Sequence, residues 1–180
     1  MKFVFKEIMD NPDLVPNCIF ELAGKISEEL KPTVAEINKA FMNGLDLSNH
    51  YGVPVEDGAN CIIVEVTKKE EKFFVAIVVP VGYRADLNGI VKKHFDAKKV
   101  SFAPLEIVLK ETDMEYGSIT PFGLPGNYKI LVDSRIMKKE KIIAGGGKQI
   151  SKLYLPTKNF TETLNAEVIE NLSNKFVEKN

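Results

Sequence analysis

Two almost continuous apolar runs constrain the fold of this chain more than any other feature. The first covers Asn60 to Val66 and the second covers Phe73 to Val79, with the charged stretch Thr67 to Lys72 between them. A strand with one face in water alternates apolar and polar residues, whereas a strand covered on both faces is apolar almost throughout. The two runs therefore predict two strands, joined by a charged hairpin connection, inside a layered domain.

The remaining segments predict a mixture of further strands and helices. Helices are expected to follow Asp86 and Pro104, which suit the beginning of a helix. Near the N-terminus, Thr33 to Glu36 has the form of a capping box. A helical stripe continues from it through Val34, Ile37, Phe41 and Leu45. Further short strands are predicted at 100–102, 129–133, 141–144 and 152–155. We predict a single domain over residues 1–180, with residues 1–45 as a helical N-terminal extension.

Composition and charge exclude several classes of protein. Hydrophobic residues make up 44% of the 180 residues and charged residues 27%, which is enough apolar material to build a core rather than a disordered chain. The net charge of −1 excludes a strongly cationic nucleic-acid coat protein, although a local basic patch remains compatible with it. One candidate patch includes Lys92, Lys93, His94, Lys98 and Lys99, which also fits a solvated surface.

Cysteine and histidine usage predicts neither a disulfide framework nor a metal site. Cys18 and Cys61 lie far apart, and no His, Cys and carboxylate group has the spacing of metal ligands. The N-terminal apolar run is broken by charge before it reaches the length of a signal peptide. No apolar run approaches the ~20 residues that cross a bilayer. We expect a cytoplasmic protein with no membrane contact, no metal and no cofactor.

Two glycine-containing segments are candidates for chemistry. The stretch Tyr116 to Gly126 is rich in glycine and proline, so it can form a stiff loop that directs several backbone N–H groups at one oxygen. The run Gly145-Gly146-Gly147 follows an apolar strand and removes side-chain bulk at one place. It lacks the spacing of a phosphate-binding P-loop. Taken singly, each segment also fits an ordinary structural turn.

The order of these segments resembles a known family. The loop 116–126, the strand that ends at Val132-Asp133 and the glycine run are arranged as in the YbaK/EbsC family, also called the prolyl-tRNA-synthetase-associated or aminoacyl-tRNA editing domain. Gly117-Ser118-Ile119-Thr120-Pro121 resembles that family's G-x-x-x-P loop, and Ser101-Phe102-Ala103 is also typical of it. The resemblance covers roughly residues 46–172 and is strongest over 100–155.

The resemblance implies an α+β fold, with a single compact domain built on a twisted mixed β-sheet and surrounding helices. It implies hydrolysis of the ester that joins a wrong amino acid to the 3′-terminal adenosine of a tRNA, without metal or cofactor. A water molecule, or the terminal ribose hydroxyl assisting it, would attack. The implied partner is aminoacyl-tRNA, and a contact with an aminoacyl-tRNA synthetase is compatible with the family.

The resemblance also assigns residues to roles. The backbone N–H groups of Ser118, Ile119 and Thr120 would contact the scissile carbonyl. Gly117 and Pro121 would set the loop geometry, and Asp133 is expected to brace the loop on the substrate side. The glycine run would make room for the aminoacyl-adenosine end, at Gly145, Gly146 and Gly147.

One position departs from the family pattern. The family has a lysine at the start of the strand that follows the Gly-Val-Pro turn, and the matching residue here is Asn60. Asparagine offers hydrogen-bonding groups but no charge. A hydrogen bond to a charged group contributes ~1.5–3 kcal/mol against ~1 kcal/mol for a neutral one. Lys148 or Lys152, beside the glycine run, is a candidate to supply the missing charge.

Three functions therefore remain open from the sequence. The leading one is a trans-acting aminoacyl-tRNA deacylase in which Asn60 orients the substrate or the attacking water. The alternative is a catalytically weakened binding module for tRNA or an aminoacyl-adenosine-like ligand, which the loss of the lysine favours. The third is a small-molecule hydrolase that uses the same loop.

Overall fold

The two apolar runs form the longest strands of the protein, which we describe from a computed structural model over residues 3–176. Strand β3 covers Ala59–Lys68 and strand β4 covers Glu71–Pro80. They pair antiparallel along their whole length, from Ala59 opposite Pro80 to Lys68 opposite Glu71. The connection is a tight turn in which Lys69 has a φ of 53°. The predicted hairpin is therefore confirmed.

The other elements surround this hairpin. The remaining strands are β1 Phe5–Glu7, β2 Thr33–Glu36, β5 Tyr83–Ala85, β6 Lys99–Phe102, β7 Lys129–Asp133, β8 Lys141–Gly145, β9 Ser151–Pro156, β10 Glu167–Ile169 and β11 Ser173–Lys175. The α-helices are α1 Asn17–Ala23, α2 Gly44–Tyr51, α3 Lys92–His94, α4 Leu105–Thr112 and α5 Asn159–Glu162. Single 3-10 turns occur at Ile8–Asp10, Pro12–Leu14, Glu28–Leu30, Lys39–Phe41, Val55–Asp57 and Ile136–Lys138.

The strands form two main sheets and a small ribbon. The larger sheet has the order β10-β7-β4-β3-β6 and is mixed, because β7 runs parallel to both β10 and β4 while the other pairs are antiparallel. The second sheet is antiparallel, with the order β1-β2-β9-β8. The ribbon pairs β11 with β5. The protein is thus the predicted compact α+β domain with mixed β-structure and surrounding helices.

Both faces of the hairpin are buried, as the apolar runs predict. Ile63 and Ala76 belong to a core that lies between the two main sheets and also contains Leu153 of β9. Their neighbours Val64 and Val75 point the other way, into a second core that includes Phe95 after α3. Successive side chains of a strand alternate between its faces, so burial on both sides requires an uninterrupted apolar sequence.

The helix predicted from Thr33 to Leu45 is wrong, since only its last two positions belong to an α-helix. Residues 33–36 form strand β2, in which both Val34 and Ala35 are buried. This strand pairs with β1 on one side and with β9 on the other. Its backbone groups therefore find partners across a sheet, and tertiary pairing overrides the local capping pattern. The helix that follows, α2, begins only at Gly44, where the side chain of Asn43 accepts a hydrogen bond from the Asp46 N–H at 2.9 Å.

The other two predicted helices are present, with one change. The segment after Asp86 begins as a π-helical turn, Leu87–Val91, before it continues into α3. The Asp86 carboxylate caps this turn by accepting a hydrogen bond from the Gly89 N–H at 2.8 Å. Helix α4 begins directly after Pro104. Among the residues that the structure describes, no helix has the length and apolar character needed to cross a membrane.

Candidate active site

A cavity of about 670 Å³ opens where the two main sheets diverge. Strand β6 pairs with β3 only from Val64 to Thr67, so the segment Asn60–Ile62 has β4 on one side and the cavity on the other. The opposite wall comes from the loop after α4, from the end of β8 and from β9. The cavity is therefore lined by the loop 117–121 (the family loop), by Gly145 of the glycine run and by Asn60, the position where the resemblance leads us to expect a lysine.

Hydrogen bonds between the family loop and the glycine run hold the loop in place. The Gly147 N–H donates to the Ser118 carbonyl oxygen at 2.8 Å, and the Glu115 N–H donates to the Gly147 carbonyl oxygen at 2.7 Å. Gly117 has a φ of +78°, a conformation that other residues adopt only at a cost. A backbone fixed in this way can hold N–H groups in position without reorganising when charge develops.

Two loop residues line the cavity with unused backbone donors. Gly117 and Ile119 both line it, and within residues 3–176 neither N–H has a hydrogen-bond acceptor; the same holds for the N–H of Thr120. Ser118 differs from the expectation, because its N–H already donates to the Glu115 carbonyl oxygen at 3.0 Å. The available donors are therefore those of Gly117, Ile119 and Thr120.

The other loop side chains face the protein interior. Ser118 and Thr120 are buried, and within the described part of the chain neither hydroxyl has a hydrogen-bond partner. Pro121 is buried too, and none of these three residues lines the cavity. Their side chains therefore fix the loop against the core and leave the cavity wall to Gly117 and Ile119.

The glycine run is used mainly for close packing of the chain on itself. A Cβ at Gly145 would lie 2.4 Å from the Ser118 carbonyl oxygen, one at Gly146 would lie 2.8 Å from the Ser151 backbone, and one at Gly147 would lie 2.6 Å from the ring of Pro16. Gly145 lines the cavity, whereas Gly146 and Gly147 do not. The space expected there for a substrate is occupied by the protein itself at the second and third glycines.

Among residues 3–176, Lys152 is the one cation that lines the cavity. This residue lies opposite Gly145 in the β8–β9 pair and opposite Ala35 in the β2–β9 pair, so its side chain comes from a strand with neighbours on both sides. It is only 8% exposed, and burial lowers the pKa of its ammonium from the ordinary 10.5 to about 8. Among residues 3–176, no carboxylate lies within 4.0 Å of it.

Lys148, the other candidate cation, is placed differently. Its Nζ donates to the Asp13 carbonyl oxygen at 2.8 Å, outside the cavity. From the sequence, both lysines were candidates for the cation of the site. The structure places Lys152 on β9, where it lines the cavity, and Lys148 before that strand, outside the cavity.

The first residues of β3 supply the opposite wall. Asn60 is exposed to the cavity, and within the described residues its side chain makes no hydrogen bond. Cys61 also lines the cavity, which the sequence analysis did not predict. Burial raises the pKa of the Cys61 thiol to about 12, so it is protonated at neutral pH and is a poor nucleophile.

Asp133 lies outside the cavity and braces a different segment from the expected one. Its carboxylate accepts hydrogen bonds from the Ser173 N–H at 3.1 Å and the Ser173 hydroxyl at 2.6 Å. It also forms an ion pair with Arg135 at 2.8 Å. Asp133 therefore holds the start of β11, and not the loop 117–121, against the larger sheet.

Most of the other lining residues were not predicted as site residues, and three of them stand out. Phe102 and Leu105 lie at the junction of β6 and α4, and Tyr116 precedes the family loop. Phe102 belongs to the motif Ser101-Phe102-Ala103. No local sequence pattern shows which residues border a cavity that is formed by separate elements.

The chemistry of the lining is that of an anion or carbonyl site. Within residues 3–176 it combines one ammonium, backbone donors without acceptors and apolar side chains, and no aspartate, glutamate or histidine of this part of the chain lines it. Residues 3–176 also hold no cluster of three or more His, Cys, Asp and Glu side chains suited to a metal ion. Such a lining can hold a developing oxyanion or a phosphate, and it offers no side chain that is an ordinary general base at neutral pH.

Comparisons with known proteins identify the family of this chain. A family model described as "Aminoacyl-tRNA editing domain" matches residues 42–163, which is more than half of the chain. The chain therefore belongs to the aminoacyl-tRNA editing domain family, as the resemblance indicated. No curated protein sequence is significantly similar to it.

Solved structures share the fold at low sequence identity. A hypothetical protein is 22% identical with a TM-score of 0.68, over 79% of this chain and 91% of the other. A protein named "putative trans-editing enzyme for prolyl tRNA synthetase" is 14% identical with a TM-score of 0.69, over 87% of this chain and 97% of the other. Both similarities show that the chain shares its fold with these structures over most of its length.

Proposed function

We propose that the protein is a trans-acting aminoacyl-tRNA deacylase, which hydrolyses the ester of a mischarged tRNA. The observation that carries the proposal is the meeting of the Gly117 and Ile119 backbone donors with the Lys152 ammonium in one cavity. Family membership and the name of the similar trans-editing structure support the same substrate class.

The unused loop donors suit the transition state of ester hydrolysis. Water adds to the ester carbonyl carbon, and the carbonyl oxygen becomes negatively charged. The N–H groups of Gly117 and Ile119 then donate to this oxygen. The bond to the ribose oxygen breaks next, and that oxygen takes up a proton, which leaves a free amino acid and an uncharged tRNA. Removing one donor of such an oxyanion hole typically lowers the rate about 10²–10³-fold.

The attacking water must give up a proton, and the described lining residues include no ordinary general base that could accept it at neutral pH. Among residues 3–176, no carboxylate or imidazole lines the cavity, and the Cys61 thiol is protonated. We therefore assign the neighbouring hydroxyl of the terminal ribose to relay the proton: it accepts the proton of the attacking water as it gives its own proton to the leaving ribose oxygen. An aminoacyl ester is labile enough for this modest assistance to matter.

Lys152 takes over the electrostatic role of the missing family lysine. Among the described residues it is the cation that lines the cavity, whereas Asn60, which also lines it, carries no charge. At neutral pH a group with a pKa of about 8 is mostly charged, so the ammonium can stabilise a phosphate or the developing oxyanion. Asn60 remains suited to orient the ester or the water through its amide group.

The alternative is a binding module that holds tRNA or an aminoacyl-adenosine-like ligand without turnover. Asn60 favours it, because the cavity wall that carries a lysine in the family is uncharged here. Contact with an aminoacyl-tRNA synthetase belongs to either proposal, and the protein is expected to act in the cytoplasm.

The deciding experiment is deacylation of a panel of labelled mischarged tRNAs, including alanyl-tRNA(Pro). The native protein is compared with Asn60→Lys and Lys152→Met, and Lys148→Met serves as a control because that lysine lies outside the cavity. We expect multiple turnovers by the native protein and by Lys148→Met, and a large loss in Lys152→Met. Stoichiometric binding without turnover by the native protein, together with turnover by Asn60→Lys, would establish the binding module instead.

A further inference from the structure

Two aromatic rings stand exposed at the mouth of the cavity. Phe102 is 70% exposed and Tyr116 is 62% exposed, and both line the cavity. Single exposed apolar residues are common on protein surfaces. Two large aromatic rings at the mouth of one cavity, contributed by separate elements of the chain, are a more specific arrangement.

The backbone beneath each ring is fixed, although the rings themselves are in solvent. Phe102 is paired with Val64 at the end of the β3–β6 ladder, and the next residue, Ala103, donates its N–H to the Ile63 carbonyl oxygen at 3.0 Å. The Tyr116 carbonyl oxygen accepts a hydrogen bond from the side-chain amide of Gln149 at 3.0 Å. The backbone positions that carry the two rings are therefore set before any ligand arrives.

The electrostatics of this mouth favour a negatively charged ligand. Among residues 3–176, no carboxylate lines the cavity, and Lys152 is the cation that lines it. Unpaired nucleotides combine a flat base with a negative phosphate, and proteins bind them by stacking the bases on aromatic rings beside positive charge.

We propose that Phe102 and Tyr116 are stacking platforms for the unpaired terminal bases at the 3′ end of a tRNA. The proposal rests on the deacylase function above, because that reaction requires the tRNA terminus to enter this cavity. Stacking tolerates any base, so these rings hold the terminus in position whichever amino acid it carries.

The test measures binding of an uncharged RNA, so that it does not depend on hydrolysis. The probe is a single-stranded tetranucleotide whose 3′-terminal adenosine is replaced by 2-aminopurine, a fluorescent base that is quenched when it stacks. The variants are Phe102→Ala, Tyr116→Ala and Tyr116→Phe. Phe176→Ala is the matched control, since that ring is also exposed but lies beneath Arg84, away from the cavity. Thermal unfolding of each variant checks that the fold is retained.

We expect quenching by the native protein, with affinity at least about five-fold weaker in each alanine variant and unchanged in Tyr116→Phe and Phe176→Ala. A blunt duplex of the same sequence should compete poorly, because its bases are already stacked. Equal affinities across all variants, or no binding of the probe by the native protein, would overturn the proposal. Deacylation by the native protein is measured separately, so unchanged quenching in an active enzyme refutes the platforms and leaves the deacylase function standing.

Discussion

Replacing Lys152 by methionine should make the protein more stable and less active. The ammonium of Lys152 is buried, with no carboxylate within 4.0 Å among the described residues, so the folded state holds this charge at a cost. Methionine has a similar length and shape, no charge, and a side chain that adapts to irregular surroundings. A group that destabilises the fold and is nevertheless retained fits a role in ligand binding.

The magnitude follows from the pKa of the lysine. Folding lowers it from 10.5 to about 8, and each pH unit corresponds to about 1.4 kcal/mol. The charged lysine therefore lowers the free energy of unfolding by about 3 kcal/mol below pH 8. Between pH 8 and 10.5 the unfolded chain binds more protons at this site than the folded chain, so the cost disappears as the pH rises through that window.

The assay is urea unfolding of the native protein and of Lys152→Met at several pH values from 7 to 10.5. At pH 7 we expect the variant to be more stable by about 3 kcal/mol, or by about 6–12 °C in thermal midpoint for a domain of this size. The difference should shrink steadily above pH 8. The control Lys148→Met should show no such pH dependence, because Lys148 binds a carbonyl oxygen near the surface. A variant that is no more stable at pH 7, or a difference that stays constant with pH, would refute the reasoning.

Four further outcomes are expected. Asn60→Ala should lower the deacylation rate markedly, and an unchanged rate in a labelled-tRNA assay would remove Asn60 from the mechanism. The background-corrected kcat/KM for deacylation should fall as the pH rises through about 8, where Lys152 loses its charge; a rise through the same range would indicate that Lys152 acts as a base instead. Gly145→Ala should destabilise the fold by about 1–3 kcal/mol in urea unfolding, because its Cβ would overlap the Ser118 carbonyl oxygen, and it should also reduce activity. Asp133→Ala should cost about 1–3 kcal/mol by the same method while a folded fraction keeps its activity, since this carboxylate accepts hydrogen bonds from the buried Ser173 at the start of β11 and does not line the cavity.

Much of the fold follows from local patterns in the sequence. Strands β3 and β4 were predictable because burial on both faces leaves a continuous apolar run, which few other structures produce. The segment at Thr33–Glu36 was not predictable, because its capping-box residues fit a helix equally well. This segment pairs with β1 on one side and with β9 on the other, and β9 is distant from it in sequence. No local pattern at residues 33–36 predicts these pairings.

The candidate site also has some features that the sequence predicts and others that only the tertiary structure shows. The sequence by itself determined the loop at Gly117–Pro121, the glycine run and the uncharged residue Asn60, since each is a matter of residue type and order. Only the tertiary structure decided which residues meet at the cavity. It brought Lys152 into the cavity and left Lys148 outside it. It also moved Asp133 to another part of the molecule and occupied the space beside Gly146 and Gly147 with neighbouring chain. The physical reason is that a residue's type is carried by the chain locally, whereas its direction and its neighbours depend on the register of strands that are distant in sequence.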